Sequence, residues 1–493
     1  MSKQLLHGCL YLLCTLSLFV SCKKNPDANS NVFPGSSFPI PASTPVQGTL
    51  SGRVVDENNA PVASAVVECA GISVVSNADG FFNINNATLD KYVSTVIVSK
   101  AGYFKGYRSF SASPTRNFVS IKLIPRILSG TFDGTSGGII TLSNGTKIDF
   151  LPNGMIIKSS GAVYNGTVNV FAAYIDPTSD DISSKVPGSF MGRDGTNLYS
   201  LQSAGMLAVD IESVSGEVLQ LAANKPASVK LPIPNSIVGK APSNIDTWSL
   251  DEQGVWKKEA IAVKSGDHYE FSATHFSFWN VDVPNNAVYL SLHLQDNSGH
   301  SLVNTSVSLT ISPNNSWPST TYGITDELGN VSGMVPAGYE LQLQIFPGMN
   351  VYACTTPLYS QGLGMFTENT SLTVTATLSS QQFQENIITV TGIANDCSGL
   401  PLQSGTVFIQ SGNHYTYASV TNGSYSTLLA HCDAVPSITI SISDNNTTAI
   451  AAPVIVTTTG NTAVVPLVTL TCGLTLNPLD GIYEISGSFV DAS

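Results

Sequence analysis

The sequence predicts an all-β protein, a row of tandem β-sandwich modules behind an N-terminal export signal and a flexible tether. Three observations carry this. Apolar residues alternate with polar ones in short runs, as in Leu292-His293-Leu294-Gln295 and Thr167-Val168-Asn169-Val170-Phe171, which is the period of a half-buried strand. Gly, Pro, Asn and Asp clusters separate those runs and supply turns. One pattern of strand and turn occurs three times along the 493 residues, a length that calls for several domains.

The N-terminus fixes an address. Lys3 and the amino terminus give a positive start, and an apolar core runs from Leu10 to Val20. That core is shorter than the ~20 residues a membrane-spanning helix needs. It closes in Leu18-Phe19-Val20-Ser21-Cys22, with a small residue before the cut. A cysteine directly after the cut would receive diacylglycerol, so residues 1–21 read as a lipoprotein signal and Cys22 as the lipidation site. Phe19 departs from the Leu or Val usual at that position of the motif. Residues 22–47 are rich in Lys, Asn, Pro, Ser and Thr with little apolar periodicity, the composition of a disordered tether. Two acyl chains hold a protein stably in a membrane where one is marginal.

Composition narrows the function classes. Hydrophobic residues make up 42% and charged residues 11%, so Ser, Thr, Asn and Gln must cover the surface. A net charge of −13 argues against nucleic acid, whose phosphates require clustered Lys and Arg. Of eight cysteines, Cys9 and Cys14 leave with the signal and Cys22 is taken by lipid. Cys69 and Cys354 each stand alone in their modules and read as small buried apolar residues. Cys397, Cys432 and Cys472 fall in the last complete module, where an oxidising envelope favours a bridge. Cys397 with Cys472 would join first and last strands; Cys397 with Cys432 is the other arrangement. Either would add roughly 3–4 kcal/mol.

The first folded segment, 48–124, reads strand, turn, strand through Leu50-Ser51-Gly52-Arg53-Val54-Val55-Asp56, Ala60-Pro61-Val62 and Ala65-Val66-Val67. The turn Asn77-Ala78-Asp79-Gly80 then leads into Phe81-Phe82-Asn83-Ile84, and Gly102-Tyr103 comes late. The order G-x-V-x-D, P-V-x-x-A, D-G-x-F and G-Y resembles the carboxypeptidase regulatory-like family. That resemblance implies a transthyretin-like or Ig-like sandwich and no catalytic residues. The plan returns more loosely over 285–380 and over 381–473, and 474–493 begin a further strand. Modules of this kind are expected as beads on a string.

Residues 125–284 form a larger β domain. A Gly137-Gly138 strand start, the hairpin Trp248 to Trp256 around Asp251-Glu252-Gln253-Gly254, and the ending His275-Phe276-Ser277-Phe278-Trp279-Asn280 resemble a module of cartilage intermediate layer protein. That implies extracellular β structure. With the lipoprotein signal, the whole chain resembles an envelope lipoprotein of the Bacteroidetes type, placed at the outer membrane and exposed to the surface.

Catalytic motifs are missing from the sequence: it has no Gly-x-Ser-x-Gly and no His-Glu-x-x-His. No metal or cofactor is expected. His275 reads as a structural histidine, and Asp176, Asp180 and Asp181 lack the glycine and closing Glu of a calcium loop. Aromatics remain. Trp317, Tyr322, Tyr415 and Tyr417 lie in turn-rich or alternating stretches and are the candidates for stacking on a glycan. The expectation is a non-enzymatic, membrane-anchored scaffold or adhesion-type protein that displays binding modules. The alternative is a carbohydrate-binding surface lipoprotein of a glycan-uptake system. The expected partners are the membrane, through its lipid, and either a glycan or another envelope protein.

Overall fold

The computed structural model describes residues 38–39, 41–314, 316–378, 387–447 and 449–472. Cys22, the signal, most of the tether and 474–493 lie outside the described residues. Strands are the dominant element of the described chain. Its one α-helix is the single turn Ile182–Lys185, and no described helix is long and apolar enough to cross a membrane.

Three modules share one seven-strand topology. In the first, Pro45–Val55 lies between Phe81–Asp90, to which it is antiparallel, and Arg116–Lys122, to which it is parallel. Facing it is a four-stranded sheet in the order Ile72–Val75, Val66–Cys69, Ser94–Ser99, Gly106–Phe110. In the next copy, the second half of Phe278–Asp296 takes the central place, antiparallel to Asn330–Pro336 and parallel to Thr370–Ala376. In the last, Ile387–Asn395 is antiparallel to Ser424–Ala430 and parallel to Thr462–Thr469. There the pair Thr421↔Ser424 merges the two sheets into one path of seven strands.

The turns repeat atom for atom. Oδ1 of Asp56 accepts from the backbone N–H groups of Asn58 and Ala60. Asp296 does the same for Ser298 and His300, and Asp396 for Ser398 and Leu400. A short side chain that bonds its own backbone two and four residues on fixes the turn. The second turn of each module ends in glycine with positive φ, at Gly80, Gly329 and Gly423. Its carbonyl accepts from the central strand in each case, from Val54, Leu294 and Ala394.

The larger domain is a ten-strand path from Gly138–Thr141 round to Leu128–Asp133. Those two end strands are consecutive in sequence and linked by the bridge Asp133↔Gly137, so the sheet curls back on itself. Inside lie Ile148, Phe150, Val170, Leu207, Val229 and Trp279. Trp248 and Trp256, both fully buried, pack on the other face with Phe104 of the first module.

The modules are not beads on a string. Phe278–Asp296 is one 19-residue strand; its first part pairs with Asn197–Ser213 in the larger domain and its second part is the central strand of the following module. The boundary drawn at 284/285 therefore falls inside a strand. The first module also packs onto the last, some 300 residues away, with Phe81 stacked on Phe408 at 4.3 Å between ring centroids. Phe118, Tyr415, Tyr417 and Met349 complete that shared apolar cluster.

Arg116 binds three modules at once. Its guanidinium donates to Ser51 and Asn83 in its own module and to Thr406 and Ser419 in the last. It also pairs with Glu327 at 3.4 Å. Asp326 beside it accepts from Ser113 and Thr115. A disulfide, Cys354–Cys432, joins the third module to the fourth.

Candidate functional site

These contacts close the modules around a central cavity of about 870 Å³. The first module contributes Arg108 and the strand Arg116–Lys122, and the larger domain the helix Ile182–Lys185 with Phe190 and Leu201. Tyr289, Tyr322 and Tyr352 come from the third module and Tyr415 from the last. Exposed residues, Lys91, Pro114, Asp180, Thr321 and Asn413, stand on its wall, which opens it to solvent.

Arg108 sits in the edge strand Gly106–Phe110. Strand alternation decides where it points. Its neighbours Tyr107 and Ser109 turn to the larger domain, Tyr107 against Phe278 and Ser109 donating to the carbonyl of Gly254. Arg108 faces the other way, onto the cavity. Among the described residues its side chain has no hydrogen-bond or ion-pair partner. Burial pushes its pKa down from the ordinary arginine value, while Tyr352 opposes that shift.

Several of the other charged groups on the wall have partners in the protein. Lys122 pairs with Asp181 at 2.6 Å. Burial works against the Asp181 carboxylate, yet hydrogen bonds from Lys122 and Lys185 hold its pKa below the usual range. Arg53 lies over the rings of Phe81 and Tyr415. Tyr352 shares a hydrogen bond with Ser183, and Tyr322 stands 6.0 Å from the Tyr352 ring.

The four predicted stacking residues do not form one surface. Trp317 is 4% exposed and packs in the core of the larger domain, its Nε1 donating to the Ser203 carbonyl. Tyr417 is 2% exposed and is covered by Phe118. Neither has a ring face to offer a sugar, because the module interface that covers them is formed by residues far off in sequence. Tyr415 is also nearly buried, with part of it on the cavity wall. Tyr322 is half-buried and lines the cavity. Arg108 was missed by the sequence reading; the signal was an arginine at an alternating strand position, which only the packing reveals as unpaired.

Cys397 and Cys472 are bonded, joining the first and last strands of the final module. Cys432 does not take Cys397, the partner proposed for it from sequence. It bonds Cys354, which had read as an isolated apolar residue. Cys69 is free and buried. His414 lies beside the Cys354–Cys432 bridge, its Nε2 4.0 Å from Cys432 Sγ and 3.6 Å from Asp433; these are the only clustered His and Cys donors among the described residues, and the thiols are spent on each other. His275 packs on Trp279 at 5.2 Å and meets Glu259 at 3.5 Å. Asp176 caps its own turn through Thr178.

No family model matches the chain, so the regulatory-like resemblance rests on its motifs and topology alone. No curated protein matches it. Among solved structures, the chain is similar to a Streptococcal ancillary pilin at 13% identity, covering 47% of this chain and 95% of that one, TM-score 0.15. The shaft pilin SpaA from Lactobacillus rhamnosus GG gives 10% identity, 38% and 97% coverage, and a TM-score of 0.18. The major pilin subunit BcpA of Bacillus cereus gives 11%, 68% and 100%, and 0.14. Scores this low carry no functional argument.

Proposed function

We propose that this chain is a non-enzymatic, membrane-anchored envelope protein that holds a rigid assembly of β-sandwich modules away from the membrane as a binding scaffold. The observation that supports it most is the locking of the modules to one another. A continuous strand, the Arg116 cluster and an inter-module disulfide tie the modules to one another at fixed spacing, as a display scaffold requires. The anchor belongs to Cys22 and the tether. Labelled palmitate should enter the wild type and not Cys22→Ala, which should leave the membrane fraction; protease added to intact cells should remove the wild type. Membrane retention of Cys22→Ala together with an unlabelled wild type sinks the anchor.

A second reading, carbohydrate binding, is favoured by the cavity. Its volume lies within the ~300–1,000 Å³ of small-ligand sites, and tyrosines stand on its wall.

A further inference from the structure

We propose that the central cavity takes a short acidic saccharide and that Arg108 receives its carboxylate. The inference deepens the carbohydrate reading and rests on it; the anchored scaffold stands or falls separately, on the lipid label.

Charge is the first argument. The chain as a whole carries −13, yet the cavity wall holds Arg53, Lys91, Arg108, Arg116 and Lys122 against Asp180, Asp181 and Asp326. Most of those charges are answered within the protein. Lys122 has Asp181, Arg116 has Glu327, and Asp326 accepts two hydroxyls from the first module. Lys91 stands over Tyr92 and Tyr289 near solvent, and Arg53 lies against the rings of Phe81 and Tyr415, which shield it from the cavity although its buried Nε has no hydrogen-bond partner. Arg108 has no such partner among the described residues.

Arg108 is half-buried, and a guanidinium shielded from part of its water with no protein acceptor favours an anion. It has a rigid fork of donors that matches a carboxylate in bidentate geometry. An anion entering the cavity therefore gains at Arg108 an interaction that no protein group supplies. The rest of the wall selects the kind of anion. The phenols of Tyr322 and Tyr352 and the hydroxyls of Ser183, Ser291 and Thr320 surround the space. These are partners for a polyhydroxylated ligand, and the tyrosine rings give its C–H faces an apolar surface. The volume suits a few sugar units rather than a single small acid.

The test is calorimetric titration of the full chain in detergent with trigalacturonate, the neutral galactose trimer and citrate. Trigalacturonate should bind saturably. Arg108→Gln should weaken it about 10- to 100-fold, the range for loss of charged hydrogen bonds, and Arg108→Lys should weaken it less. The thermal melt of Arg108→Gln should be no lower than that of the wild type. If that variant fails to fold, Tyr322→Ala serves instead and should also weaken binding. Equal binding of the neutral trimer overturns the role of Arg108 and leaves the carbohydrate reading standing. Citrate binding as tightly overturns the saccharide class, and no binding of either trimer overturns both.

Discussion

Asp282 is a costly residue in the fold. It is fully buried in the strand Phe278–Asp296, opposite Ser203 and Asp246, and neither carboxyl oxygen has a hydrogen-bond partner. Burial pushes its pKa well above the carboxylate range; the nearby Ser203 hydroxyl, which donates to Asn280, opposes the shift without cancelling it, and the charge of Asp246 adds to it. The sign of the consequence follows from linkage. Below the ordinary carboxylate pKa the group is protonated in both states and costs nothing. As pH rises, the unfolded chain releases the proton while the folded chain keeps it, and stability falls by up to ~1.4 kcal/mol per pH unit until the folded pKa is passed. Asp282→Asn should thus melt close to the wild type near pH 4 and at higher temperature at pH 7, by a margin that grows between them. Parallel melting curves across that range would falsify the assignment. Nothing in Val281-Asp282-Val283 marks this burial, since alternation reads Asp282 as the solvent side of a strand; the second sheet neighbour that covers it is set by topology.

At the scale of strands and turns the sequence is much more legible, because the forces are local. The Asp turns at 56, 296 and 396 are written in neighbouring residues, and the structure shows the same two bonds in each. The glycine of G-x-V-x-D also has a local reason. A Cβ on Gly52 would stand 2.4 Å from the Phe82 ring and 2.6 Å from the Val119 carbonyl, because the cross-strand phenylalanine lies flat over it. Gly392 and Tyr425 repeat the arrangement in the last module, with a Cβ 2.3 Å from the phenol oxygen. Gly52→Ala should destabilise the protein by about 1–3 kcal/mol, the usual cost of overpacking. Gly71→Ala is the contrast: its φ of +77° makes it strained, but no atom lies within 4 Å. Denaturant titration of Gly52→Ala alone and with Phe82→Leu checks the cause, since the smaller side chain should relieve much of the loss. The strand Phe278–Asp296 was harder to read. Pro284-Asn285-Asn286 has the look of a linker, yet Pro284 stays in register with Leu201, and Asn285 accepts from Tyr339 and donates to the Ser200 carbonyl.

Across the whole molecule, sequence reasoning described the pieces and missed how they close. Alternation says which side chains leave a strand on the outer face, but not that a module 300 residues later will cover that face. Phe81, Phe118, Tyr415 and Tyr417 look like single-module aromatics, and the structure places them together in one interface. The same closure creates the cavity, buries Tyr415 and Tyr417 of the predicted stacking residues and gives Cys432 the partner Cys354. It also makes a measurable claim about size. A compact body of the described length has a radius of gyration of about 22 Å, whereas four independent modules of ~13 Å each, laid end to end, would give roughly 40 Å. Small-angle scattering on the soluble chain from Lys23 onward should return a value near the first, enlarged a little by the tether. Phe81→Ala combined with Arg116→Ala removes both the stacked ring and the cation that hold the first module to the last. Loss of a large buried aromatic costs about 3–5 kcal/mol, enough to open an interface while each sandwich keeps its own core. Scattering from that double variant should move toward the extended value with its circular dichroism still that of β structure. An extended radius in the wild type would return the chain to a string of separate modules and remove the cavity with it, and an unchanged radius in the variant would show that Phe81 and Arg116 are not what holds the first module to the last.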